Sequence, residues 1–135
     1  IIDLLVELKR KRNLAIIFIT HNLGLIGAIA DRIAVMYHGL VLEQGPAEQV
    51  LNHPHHPYTR ALLDSILPFG KHHSDEPLTV VRGTVPDPHR PEPGCPFAPR
   101  CPLVREECRA AVPPLLEEAE REHRCIVPGE KERLQ

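Results

Sequence analysis

An α/β fold is predicted for the first part of this 135-residue chain, followed by a Pro-rich, irregular, metal-stapled extension. Three observations predict it. Apolar residues recur at helical spacing over residues 1–12 and then run together over 14–19. All fifteen prolines lie after Gly45. All four cysteines lie beyond Gly94. The composition, 42% hydrophobic and 25% charged, suits a globular chain. A net charge of −2 and 4% aromatic residues argue against a nucleic-acid surface. The longest apolar run unbroken by Gly or a polar residue, 14–19, is far short of the roughly 20 residues that span a bilayer. Nothing at the start reads as a signal peptide. A chain that opens on Ile1 inside an amphipathic pattern, with its one methionine at Met36, is expected to be a piece of a longer protein.

Taken in order, apolar positions 1, 4, 5 and 8 mark one helical face. Lys9, Arg10, Lys11 and Arg12 suit the negative end of that helix dipole, and Asn13 is a candidate C-cap. Residues 15–20 lack polar alternation, which predicts a strand buried on both faces of a helix-covered sheet. Asn22 can cap a helix running to about Ala30. Residues 32–37 and 40–44 read as strands joined at His38-Gly39, a two-residue loop with Gly available for positive φ.

Beyond Gly45 the pattern changes. Pro46 can open a short helix over 47–51, and a second helix is expected over 57–66. In that second helix Tyr58, Leu62 and Ile66 share a face, fit to pin the extension to the preceding fold. Residues 67–94 read as an extended arm, with 78–81 its strand-like patch, carrying the cysteines toward a neighbouring subunit. Residues 105–111 and 114–122 read as short helices. The expected division is therefore 1–45, 46–67, 68–94, a four-cysteine module over 95–130, and a tail over 131–135. No internal repeat is evident.

Two groups carry candidate chemistry. His21 follows the predicted buried strand, and ligands of open α/β sheets bind beyond the carboxyl ends of strands. An imidazole there can bond a phosphate oxygen or place a nucleophilic water, although position alone favours a capping or solvent-facing histidine. Cys95, Cys101, Cys108 and Cys125 give the spacing C-x5-C-x6-C-x16-C. Four thiolates in a segment too polar to build its own core suit a metal that crosslinks it. Zinc and an iron–sulfur cluster both accept four thiolates, while free thiols or disulfides remain open. Structural zinc favours closely paired cysteines, which are lacking here. Proline directly after Cys95 and Cys101 resembles cysteine–proline runs of ferredoxins, yet the gaps match neither common ferredoxin pattern. His123, two residues before Cys125, is a weaker alternative ligand. His53, His55, His56, His72 and His73 could bind metal adventitiously.

Phe18-Ile19-Thr20-His21-Asn22-Leu23 and Ala30-Asp31-Arg32-Ile33-Ala34-Val35-Met36 resemble the switch-histidine region of ABC-transporter ATPases. Gly39, Val41, Glu43, Gly45 and Pro46 continue that resemblance. His56-Pro57-Tyr58-Thr59-Arg60-Ala61-Leu62-Leu63 resembles the hallmark of the oligopeptide/dipeptide importer subfamily, and Pro93-Gly94-Cys95 through Phe97 and Pro99-Arg100-Cys101 resembles its C-terminal extension.

The resemblance implies the C-terminal remnant of a P-loop NTPase, in which His21 contacts the γ-phosphate of ATP. It implies ATP and Mg²⁺ for the full-length parent, and for the four cysteines it favours a [4Fe–4S] cluster. It also implies two transmembrane permease subunits, a second ATPase subunit, identical or homologous, and an external peptide-binding protein. The implied location is the cytoplasmic face of the membrane. Asn22 departs from the Asp that the family usually carries after this histidine. A P-loop needs G-x-x-x-x-G-K-[ST], but Gly70-Lys71 is followed by His72, with Ser65 where the first Gly should stand. The Walker B and signature segments are missing too, so the chain alone is expected neither to bind ATP tightly nor to hydrolyse it. The alternative is a stand-alone iron–sulfur or zinc module with a sensor or assembly role.

Overall fold

A computed structural model of the chain describes residues 2–66, 83, 84, 87, 89 and 93–128. Helix α1, Ile2–Arg12, ends as its sequence predicts. Asn13 turns left-handed at φ 48°, and the Leu14 N–H donates to the Lys9 carbonyl at 3.1 Å, the closing bond of a Schellman motif. An ion pair from Lys9 to Asp31 ties this helix to the turn before the first strand.

The expected strand over 15–20 does not form. Ile17 and Ile19 are 92% and 94% exposed rather than buried on both faces. A doubly buried strand needs a hydrogen-bonded neighbour on each edge, and among the described residues no strand runs beside this segment. Helix α2, Leu23–Ile26, follows, with the Asn22 side chain accepting from the Gly24 N–H at 3.1 Å. It stops short of the expected Ala30 and gives way to turns.

The hairpin is as predicted. Strand β1, Arg32–Tyr37, buries Ile33, Val35 and Tyr37 on one face and exposes the alternate residues. Strand β2, Leu40–Pro46, pairs with it antiparallel. His38 and Gly39 both take positive φ, 48° and 76°, as a two-residue primed turn requires. Between the pairs Val35↔Glu43 and Met36↔Val41 the register slips by one, so Leu42 is an extra residue on β2. This bulge lets two consecutive residues, Leu42 and Glu43, both be fully buried.

Helices α3, Ala47–Asn52, and α4, Pro57–Asp64, fall close to the expected positions. The start of α4 explains its sequence. His56 is the N-cap, its Nδ1 accepting from the Tyr58 N–H at 3.0 Å, and Pro57 occupies the first turn, where no N–H is needed. Tyr58 then reaches both apolar clusters. One contains Ile33, Val35, Ala47 and Val50; the other contains Tyr37, Leu42, Phe97 and Ala98 with Cys95 and Cys108. The pinning role expected of this helix is met by Tyr58 and Leu62, whereas Ile66 is exposed.

Helix α5, Glu106–Ala110, matches expectation. The predicted helix over 114–122 is instead a hairpin, β3, Leu116–Glu118, with β4, Arg121–His123. Strand β4 pairs with β2 through Glu43↔His123, giving one antiparallel sheet of order β1-β2-β4-β3. The composition of 115–120 favours a helix, but the open edge of β2 offers backbone partners that decide otherwise.

The cysteine-bearing segment packs against its own chain. It folds back onto its own hairpin, where Phe97 is wholly buried against Tyr37, Tyr58 and His56, with ring centroids 5.2 to 5.9 Å apart. Its shortage of apolar residues is met by sharing the core of β1 and β2. The strand-like patch at 78–81, His72, His73 and the tail at 131–135 lie outside the described residues.

Candidate metal centre

Four separate pieces of backbone bring the cysteines together. Gly94, at φ 97°, allows the chain to pass so close to α5 that a Cβ there would lie 2.4 Å from the Cys108 carbonyl oxygen. The Cys95 N–H donates to that same carbonyl at 2.7 Å. Cys101 follows a single 3₁₀ turn, Ala98–Arg100. Cys108 lies in α5, and Cys125 follows β4. All four line one small interior cavity with His56 and Arg124 at its wall. Cys95, Cys108 and Cys125 are buried, Cys101 is half-buried, and all four are free thiols.

Burial pushes the thiols of Cys95, Cys101 and Cys125 upward, Cys101 to about 12 and Cys125 to about 11, and the neighbouring thiols raise each of them further. These groups stay protonated at neutral pH without a cation. A metal would displace their protons and make the thiolates mutually tolerable. The four sulfurs surround the cavity rather than one point. Among the described residues, the set of potential ligands that meets within 4.8 Å is a different one, His55, Glu118 and His123.

Behind the cavity lies a buried polar clamp. Glu43, wholly buried, accepts from the His55 N–H at 2.8 Å and the His56 N–H at 2.9 Å, and pairs with Arg121 at 2.9 Å. Arg121 also donates to the His53 carbonyl. One carboxylate thus satisfies the loop that carries the His56 cap and fastens it to β4. Burial lowers the pKa of His56 to about 4, so its imidazole is neutral and its Nδ1 is free to accept in the cap.

His21 does not share this site. It is exposed at the end of residues 14–20 and is not among the residues lining the cysteine cavity. Its neighbour Asn22 donates to the Thr20 Oγ1 at 3.0 Å while capping α2. His123 is not among the residues lining the cysteine cavity and packs on His55, their rings 5.1 Å apart. A cleft of about 320 Å³ between α1, residues 16–18 and β1 is lined mainly by apolar side chains such as Leu5, Phe18 and Ile29.

The Glu43 clamp was not evident from the sequence, because its partners are far along the chain and the bulge that buries it leaves no local signal. The grouping of His55 with Glu118 and His123 was hidden for the same reason.

Residues 42–108 match the family described as oligopeptide/dipeptide transporter, C-terminal region. The chain belongs to this family. The C-terminal region so defined takes in Glu43, the His56-Pro57-Tyr58 turn and three of the four cysteines; Cys125 lies beyond it. The chain is 46% identical over 112 residues to the oligopeptide transport ATP-binding protein OppD of Haemophilus influenzae, covering 82% of this chain and 34% of that protein. It is 41% identical over 129 residues to the dipeptide transport ATP-binding protein DppD of Escherichia coli, covering 95% and 39% respectively. It is 42% identical over 113 residues to DppD of Bacillus subtilis, covering 84% and 33%. The chain thus spans little more than a third of the length of the curated relatives it matches. Among the described residues no helix is long and apolar enough to cross a membrane.

Proposed function

We propose that this chain is the C-terminal part of an ATP-binding subunit that powers import of oligopeptides or dipeptides. Its likeness to OppD and DppD, named as peptide transport ATP-binding proteins, carries this reading. In such a subunit residues 14–20 would lie between further strands, covering the exposed Ile17 and Ile19, and His21 would contact the γ-phosphate of ATP held with Mg²⁺. Closure of two ATPase subunits, identical or homologous, at the cytoplasmic face would drive two permease subunits supplied by an external peptide-binding protein. The chain alone would be inactive, lacking the segments that hold Mg²⁺ and the phosphates. The test is to replace the matching segment of a full-length relative with residues 2–128 of this chain and measure ATP hydrolysis and peptide uptake. Both activities should survive the exchange, and His21→Ala should then lower hydrolysis by about 100-fold or more. Hydrolysis unaffected by His21→Ala would remove the assigned role.

In the same reading Cys95, Cys101, Cys108 and Cys125 hold a [4Fe–4S] cluster. The donor set supports it, four free thiols lining one cavity, with those of Cys95, Cys101 and Cys125 raised by burial. The spread of the sulfurs supports it as well. A single tetrahedral zinc needs its thiolates about 3.8 Å apart, whereas a cubane lets each cysteine bind a different iron and stand farther off. The cluster would staple the segment to the sheet; no second redox centre in the described residues suggests electron transfer. Anaerobic preparation should give a broad visible absorbance and stoichiometric iron. Stoichiometric zinc without iron would select the other metal, and neither metal would leave free thiols. A stand-alone sensor or assembly module remains the second reading, favoured by the way residues 32–66 and 93–128 pack together around the cysteines. Loss of ATP hydrolysis in the exchanged protein, with iron retained, would select it.

A further inference from the structure

A second group of potential ligands, apart from the cysteines, gathers at the β3–β4 hairpin. His123 is 3% exposed, yet neither of its ring nitrogens has a hydrogen-bond partner. His55 Nδ1 is likewise buried without a hydrogen bond, 3.4 Å from the Glu118 carboxylate. Buried imidazole nitrogens are ordinarily satisfied, so two histidines with orphaned nitrogens facing one carboxylate need an explanation. One ligand atom from each of His55, Glu118 and His123 lies within 4.8 Å of the others.

We propose that His55, Glu118 and His123 form a binding site for one zinc-class divalent cation, separate from the cysteine centre. Two imidazoles and one carboxylate are a recognised zinc donor set that leaves a fourth position for water. The same donors disfavour calcium and magnesium, which take oxygen ligands. Glu118, with its side chain 62% exposed, opens the site to solvent and gives the ion a path of entry.

The fold holds the ligands in advance. In the β3–β4 register Glu118 lies opposite Arg121, and His123 is two residues beyond Arg121 on the same face. His55 is fixed from the other side, because its N–H and that of His56 both bond Glu43, which Arg121 anchors to β4. An ion here would join the loop before α4 to the terminal hairpin, in parallel with the Glu43 clamp.

The test uses Co²⁺ as a spectroscopic stand-in for zinc, titrated into the intact reduced chain. Binding here gives visible ligand-field bands without the near-ultraviolet sulfur-to-cobalt charge transfer that the cysteines would produce. One such equivalent is expected. Glu118→Gln and His55→Gln should each weaken it by about 100-fold, while Cys101→Ser should leave these bands in place. Glu118 is exposed, so its variant should retain native circular dichroism even if the buried His123 tolerates no change. Bands bearing only sulfur charge transfer would overturn the proposal. So would Glu118→Gln and His55→Gln variants that bind cobalt as tightly as the parent.

Discussion

Glu43 gathers three polar contacts from distant parts of the described chain. Two loop N–H groups and one guanidinium depend on a carboxylate with no access to water. Glu43→Ala should therefore cost about 3–5 kcal/mol, the usual penalty for stranding a buried charge. Urea unfolding would measure it, with Glu43→Gln falling between the variant and the parent. Nothing in the local sequence distinguishes Glu43 from an exposed strand carboxylate, since its burial comes from the bulge at Leu42 and partners near residues 55 and 121. The cap at His56 is different: histidine, proline and an aromatic in succession spell a helix start, and the structure uses each for that purpose. Ala119 is a further residue that alternation does not reveal. It sits at φ 55° in the β3–β4 turn, where an L side chain is crowded. Ala119→Gly should stabilise the chain by roughly 1 kcal/mol, read as a rise in melting temperature.

Among the elements, those set by local chemistry were legible and those set by distant partners were not. The β1–β2 hairpin follows from His38-Gly39, and α1 from its spacing and its Asn13 stop. The segment 14–20 reads as a buried strand because its side chains are apolar, but apolarity supplies no hydrogen-bonding neighbour. Ile17 and Ile19 leave an apolar strip exposed, of the kind that drives association. Replacing both with lysine should raise the monomeric fraction in size-exclusion chromatography, with the circular dichroism of the sheet unchanged. The approach of residues 94–95 to α5 rests on one glycine. Gly94→Ala sets a methyl against the Cys108 and Arg109 carbonyls in a backbone conformation that alanine avoids. This variant should expose the cysteines, seen as faster reaction of Cys95 and Cys108 with a thiol reagent.

At the scale of the molecule, the spacing of the cysteines said that a module existed but not where it would sit. The structure places it on the hairpin of the same chain, sharing Phe97 with Tyr37 and Tyr58 and lending β4 to the edge of β2. The sheet is thus completed by residues far apart in sequence, Glu43 against His123. Closing so long a loop depends only weakly on its length, about 0.6 kcal/mol for each doubling. Gly-Ser residues inserted between Ile66 and Pro93, up to a doubling of that connection, should accordingly lower the unfolding free energy measured in urea by no more than about 0.6 kcal/mol.

That pairing also makes the chain divisible. The first portion supplies β1, β2 and the two helices that follow; the second supplies Phe97, the cysteines and the closing hairpin. Neither carries a finished sheet, and each presents the edge that the other lacks. Severed between Ile66 and Pro93, the two would be complementary halves, and mixing them would turn an intramolecular strand pairing into a concentration-dependent act of assembly.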